Sequence, residues 1–204
     1  SSSAVLVRLM EAGPAAITFW RCLVSFAVLA PTLRGLPALS GRDRGLIATS
    51  GVFLGLHFAT WFASLEHTTV LRSTVLVAMV PAWTGLLEWM VLGRRPALGF
   101  WVGIALALGG VVSFASDEGE GGLLGDALAF LAALFWAVYL LVGSDVRQRV
   151  EVFPYMALVS LAAALTVLPY ALVVGTPMLG FPTSTWGLFV LAALGPQLLG
   201  HQGL

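Results

Sequence analysis

The chain has 204 residues, of which 59% are hydrophobic and only 10% charged, and its mean hydropathy is +0.96, a composition outside the range of soluble domains. Ten basic residues, all arginine, balance ten carboxylates, so net charge gives no support to nucleic acid or any other charged macromolecule as a partner. The longest polar connection runs to about a dozen residues, which leaves no room for a soluble catalytic domain.

Residues 1–10 carry no charged region followed by an apolar stretch and a small-residue cleavage site, so no secretory signal is read there. Apolar runs then follow at 14–33, 46–65, 69–92, 98–115, 124–143, 152–174 and 186–204. Each is close to the ~20 residues a helix needs to cross ~30 Å of hydrocarbon. The runs are continuously apolar instead of alternating, which argues against membrane strands. The expected fold is therefore all-α, a polytopic integral membrane helical bundle with about seven spans present. The chain opens on Ser1-Ser2-Ser3 and stops at Leu204 inside its last run, and is read as a fragment of a longer protein.

Charge in the connections alternates along the chain. Arg34, Arg42 and Arg44 fall in one connection, Arg94 and Arg95 in the next but one, and Arg147 and Arg149 in the next but one again. The connections between them hold Glu11, Glu66, Asp117, Glu118 and Glu120. The positive-inside rule places the arginine connections in the cytoplasm.

A repeat is visible as well. Glu11-x-x-Pro14 opens one run and Glu151-x-x-Pro154 opens another, and the two runs end near Pro31 and Pro169. A unit holding one span before Ser1 plus the runs at 14–33, 46–65, 69–92 and 98–115 would have five helices, and an odd number forces the second copy upside down. Inverted repeats are a recurring architecture of secondary transporters, with the solute site between the copies.

These residues resemble the EamA-type members of the drug/metabolite transporter superfamily. The resemblance rests on Pro14 with Phe19-Trp20-Arg21, on Leu56-His57-Phe58-Ala59-Thr60-Trp61-Phe62-Ala63-Ser64-Leu65, on Pro81, and on Gly103 and Gly109-Gly110-Val111. It extends through Gly125-Asp126-x-Leu128-Ala129, Phe135-Trp136-Ala137 and Leu194-Gly195-Pro196-x-Leu198-Leu199-Gly200-His201. It implies ten helices in two inverted five-helix repeats. Residues 1–115 would then be the first repeat with most of its first helix missing, and residues 116–204 the second with its last two helices missing. One departure stands out: where many members carry a glutamate after a Leu-Gly pair, Leu92-Gly93 is followed by Arg94 and Arg95.

Within the spans, Arg21 lies roughly 11 Å from the outer end, counting ~1.5 Å per residue. An ionised side chain at that depth costs at least ~2.5 kcal/mol and needs protein or water around it. It is either a structural arginine satisfied by carbonyls or a solute contact. His57 falls at a similar level, and His201 stands in a comparable place in the seventh run. Each is either a packed imidazole bonded to a carbonyl or a wall of the pathway, and an imidazole could also carry coupled protons. Trp61 lies one turn from His57, and Trp136 one turn from Tyr139, forming faces able to hold an organic ligand or simply to pack. Pro81 removes a helix hydrogen bond at mid-membrane. The expected substrate-binding set is Arg21, His57, Trp61, Pro81, Trp136, Tyr139, His201 and Gln202. Gly99-x-x-x-Gly103 permits close helix packing, and Arg72 with Glu66 reads as a solvated pair near the outer end. The single cysteine, Cys22, allows no intramolecular disulfide.

Together these features predict a secondary transporter that moves a small organic metabolite, an amino acid or related solute, across the bacterial cytoplasmic membrane by alternating access, with export implied by the resemblance. The alternatives are a non-catalytic structural or assembly subunit and an intramembrane enzyme. The enzyme lacks a constellation, since His57, His67 and His201 have no ligand spacing and no metal or cofactor is expected. The partners expected are membrane lipid and the metabolite, with a homodimer left open.

Overall fold

In the computed structural model, residues 2–117 and 122–199 are described, and every regular element among them is helical. The order is α1 (Ser2–Arg8), α2 (Pro14–Leu29) with a 3₁₀ turn (Ala30–Leu33), α3 (Gly41–His67), α4 (Val70–Val77), α5 (Val80–Leu92), α6 (Leu98–Asp117), α7 (Leu123–Val146), α8 (Val152–Val174) and α9 (Thr183–Ala192), which continues into a π-helical segment (Ala193–Leu199). Five segments among the described residues are long and apolar enough to cross a bilayer: Pro14–Leu33, Gly41–His67, Val70–Leu92, Leu123–Val146 and Val152–Val174. The chain is thus an all-α polytopic membrane bundle.

The boundaries follow from local chemistry. Pro14 occupies the first turn of α2, where its missing N–H costs nothing. Ser40 caps α3: its hydroxyl oxygen accepts from the Asp43 backbone N–H at 3.0 Å, and its O–H donates to the Asp43 carboxylate at 2.7 Å. Thr69 caps α4 in the same way through the Arg72 N–H. Helices α5 and α8 stop at Gly93 and Gly175, whose φ values of +67° and +72° suit only glycine. The apolar run at 69–92 is two helices, separated at Ala78 and Met79 immediately ahead of Pro81.

Helix α3 is the axis of the bundle, with α7 packed along one side and α8 along another, while α2 packs on α8. Glycines allow the approach of α8. A Cβ on Gly51 would lie 2.2 Å from the Ala162 Cβ, and one on Gly55 would lie 2.8 Å from the Ala163 carbonyl oxygen. The expected small-residue contact at Gly99 and Gly103 is different, because a Cβ at either would meet nothing within 4 Å.

Helix directions give the bundle two distinct ends. At one, Arg42 donates to Asp145 at 3.0 Å, and Arg149 donates to Asp43 at 2.8 Å and to Asp145 at 3.0 Å. The start of α3 is thereby fastened to the end of α7. At the other, the Glu11 N–H reaches Thr185 Oγ1 at 3.4 Å, the Gly122 N–H donates to the His67 carbonyl at 3.0 Å, and Arg8 donates to the Thr68 carbonyl at 2.9 Å. Arg72 pairs there with Asp126, not with Glu66, and both side chains are mostly buried. The sequence offered no way to foresee a partner on another helix. Since α8 runs alongside α3 in the same direction and opposite to α2, the Glu11 and Glu151 openings fall at opposite ends.

Candidate functional site

Arg21, in the second turn of α2, is fully buried. Its Nη1 donates to Ser3 Oγ on α1 at 2.8 Å, and its guanidinium carbon lies 4.4 Å above the Phe58 ring and 5.7 Å from that of Phe62, both on α3. Phe58 and Phe62 are four residues apart, so they share one helix face and form an aromatic bed. A planar guanidinium resting on such a bed, away from water, gains ~2 kcal/mol or more from the ring quadrupole.

His57 stands on the neighbouring face of α3 and is also fully buried. Its Nδ1 lies 2.8 Å from the Ala132 carbonyl oxygen on α7. A carbonyl can only accept, so Nδ1 carries a hydrogen directed at it. Aromatic rings surround the imidazole: Trp136 at 4.8 Å, Phe58 at 5.0 Å and Trp61 at 5.6 Å between centroids. Four of the expected residues, Arg21, His57, Trp61 and Trp136, therefore form one continuous cluster spanning α2, α3 and α7.

Between α3 and α4, Ser64 and Ser73 share a hydrogen bond of 2.6 Å, and Ser64 also donates to the Trp61 carbonyl at 2.6 Å. The buried Trp61 Nε1 and Thr74 Oγ1 have no hydrogen-bond partner among the described residues. An unsatisfied buried donor costs ~1–3 kcal/mol, and folded proteins contain few of them.

The remaining expected residues lie elsewhere. Pro81, at the α4–α5 break, lines a cavity of about 260 Å³ with Ala78, Met79, Phe100, Gly103 and Ile104. Tyr139 points toward α8, where its hydroxyl donates to the Met156 sulfur at 3.4 Å. Packing of Val80 against Ala133, Ala137 and Trp136 links the break to the aromatic cluster. His201 and Gln202 lie outside the described residues. A larger cavity of about 580 Å³ opens on the side of α3 that carries Leu56, Ala59, Thr60 and Ala63, and reaches Glu66, His67 and Tyr170 at the end away from the paired arginines.

Sequence reasoning missed Ser3, Phe58, Phe62, Ser64, Ser73 and Thr74. The Phe58–Phe62 spacing was a readable signal of a shared face, as was the polar Ser73-Thr74 pair within an apolar run. Among the described residues no group of three His, Cys, Asp or Glu side chains gathers as a metal site would require. At the arginine end, hydrogen bonds to Asp145 and then Asp43 raise the pKa of Arg149 above the ordinary guanidinium value, so the fastening stays charged.

Residues 1–115 match the EamA-like transporter family. An uncharacterized transporter of Archaeoglobus fulgidus is 26% identical over 206 aligned positions, covering 93% of this chain and 69% of its own length. A solved crystal structure superposes with a TM-score of 0.68 at 18% identity, covering 97% of this chain and 76% of the other, and so shares the fold.

Proposed function

The chain belongs to the EamA-like transporter family, and from that premise we propose that it is a secondary transporter moving a small organic metabolite, an amino acid or related solute, across the cytoplasmic membrane by alternating access, in the direction of export. The observation that carries this reading is the buried cluster itself. Arg21 and His57 supply polar contacts in the middle of the bundle, and Phe58, Trp61 and Trp136 supply aromatic walls. Organic ligands are held by such a mixture of apolar surface and a few polar groups.

In this reading residues 1–115 and 116–204 are two inverted repeats. Support comes from the opposite placement of the Glu11 and Glu151 openings, and from α2 and α8, counterparts in the two copies, packing on each other in opposite directions. The arginine-fastened end faces the cytoplasm, in keeping with the positive-inside rule. The α4–α5 break ahead of Pro81 gives one wall a hinge, since a proline cannot complete the helical ladder there. Tyr139 supports the α7–α8 packing and Pro81 the bending of its helix, while His201 and Gln202 complete the polar set from the second repeat.

The test is counterflow with the full-length protein in proteoliposomes preloaded with a metabolite panel. Saturable uptake that falls in Arg21→Ala and Trp136→Ala supports the assignment. Uptake unchanged in both variants removes the site, and chemical conversion without transport would reject the carrier.

A further inference from the structure

Building on the carrier reading, we propose that the indole N–H of Trp61 is a hydrogen-bond donor to the transported solute, which therefore presents an oxygen acceptor, a carboxylate or carbonyl, to the aromatic cluster around His57. Trp61 is only 4% exposed, and its Nε1 has no partner among the described residues. An indole nitrogen can only donate, so nothing but an acceptor satisfies it. The ring is held in place by the His57 and Phe62 rings at 5.6 and 5.5 Å, so the N–H is positioned before any solute arrives.

The surroundings make this donor an exception. The half-buried Trp20 indole, by comparison, donates to the Met178 carbonyl at 2.7 Å. Hydroxyls near Trp61 are also spoken for: Thr60 bonds the Leu56 carbonyl at 2.7 Å, Ser64 and Ser73 bond each other, and Thr68 bonds Asp126 at 2.9 Å. Thr74, next to Ser73 on α4, also has a buried hydroxyl oxygen without a partner among the described residues. An unsatisfied donor in the wall favours an oxygen acceptor and disfavours a solute whose only polar group is an ammonium.

The experiment uses the full-length protein in proteoliposomes with radiolabelled probes: the proteinogenic amino acids as a pool, and L-phenylalanine against 2-phenylethylamine as a pair differing in the carboxylate. Trp61→Phe removes the N–H and shortens the ring. Incorporating β-(3-benzothienyl)alanine at position 61 removes the N–H while keeping the ring shape, which separates donor loss from misfolding. The expected result is transport of carboxylate-bearing probes by the unaltered protein, with KM raised about tenfold or more in both variants and maximal rate little changed. 2-Phenylethylamine should not compete. Transport with an unchanged KM in the benzothienyl protein, as a water held by Trp61 would give, overturns the donor role and leaves the carrier reading standing. Transport of 2-phenylethylamine as effective as that of the acids overturns the acceptor requirement. Absence of transport for every probe overturns the carrier reading and the donor role together.

Discussion

The Arg21 guanidinium carbon lies 4.4 Å above the Phe58 ring while its Nη1 holds Ser3 at 2.8 Å, so a single buried cation ties α1, α2 and α3 together. Replacing it tests whether shape or charge matters. Arg21→Lys keeps the charge but loses the flat stacking surface and the fork of donors. We expect it to raise the KM for transport about tenfold and to lower the thermal midpoint more than Ser3→Ala, which removes one charge-assisted hydrogen bond worth ~1.5–3 kcal/mol. Fluorescence-detected melting and counterflow on the same preparations read both effects.

Glycine spacing separates real helix contacts from apparent ones. Gly51→Ala forces a Cβ to within 2.2 Å of Ala162, so α3 and α8 must move apart at a cost of ~1–3 kcal/mol. Gly99→Ala and Gly103→Ala meet no atom within 4 Å and should be neutral or stabilising by ~0.5–1 kcal/mol through helix propensity. Equal losses at all three positions would show that α6 packs more tightly than the fold describes.

At the arginine end, Asp43 and Asp145 share Arg149. Arg149→Ala should lower the thermal midpoint modestly, and raising salt should shrink the difference from the unaltered protein, because exposed ion pairs are screened. The swap Asp43→Arg with Arg149→Asp should recover part of the loss. A swap no better than the sum of its single changes would mean that the pair does not hold α3 to α7.

Tyr139 gives a control inside α7. Its hydroxyl is directed to Met156, whereas Trp136 faces His57. Tyr139→Phe is expected to leave solute KM within about twofold, as for loss of one weak sulfur contact, while Trp136→Phe raises it. A larger effect from Tyr139→Phe would put the solute on the α8 side.

What could be read from sequence alone was whatever depends on a single helix. The apolar runs gave the positions of α2, α3, α7 and α8, and the four-residue spacing of His57 and Trp61 gave their shared face. Periodicity does not say which helix stands opposite, so the Ala132 carbonyl behind His57 and the Asp126 partner of Arg72 stayed hidden. Gly51 and Gly55 were overlooked for the same reason, since nothing local distinguishes them from Gly99 and Gly103. Pro81 marked a disturbance, and the break is placed just before it, at Ala78 and Met79, because the ring interferes with the preceding turn. Ser3 belongs to α1, a short helix that the apolar pattern did not register.

The central claim is that the Arg21–His57–Trp136 cluster can be reached in turn from both faces of the membrane. Cys22 is the sole cysteine and is buried, so a Cys22→Ala background carrying Trp136→Cys supplies one reporter thiol in the full-length protein. The account predicts that a membrane-impermeant maleimide labels this position when applied from either side of oriented vesicles, and that transported solute slows labelling from both. Labelling from one side only, or from neither at any solute concentration, would contradict it.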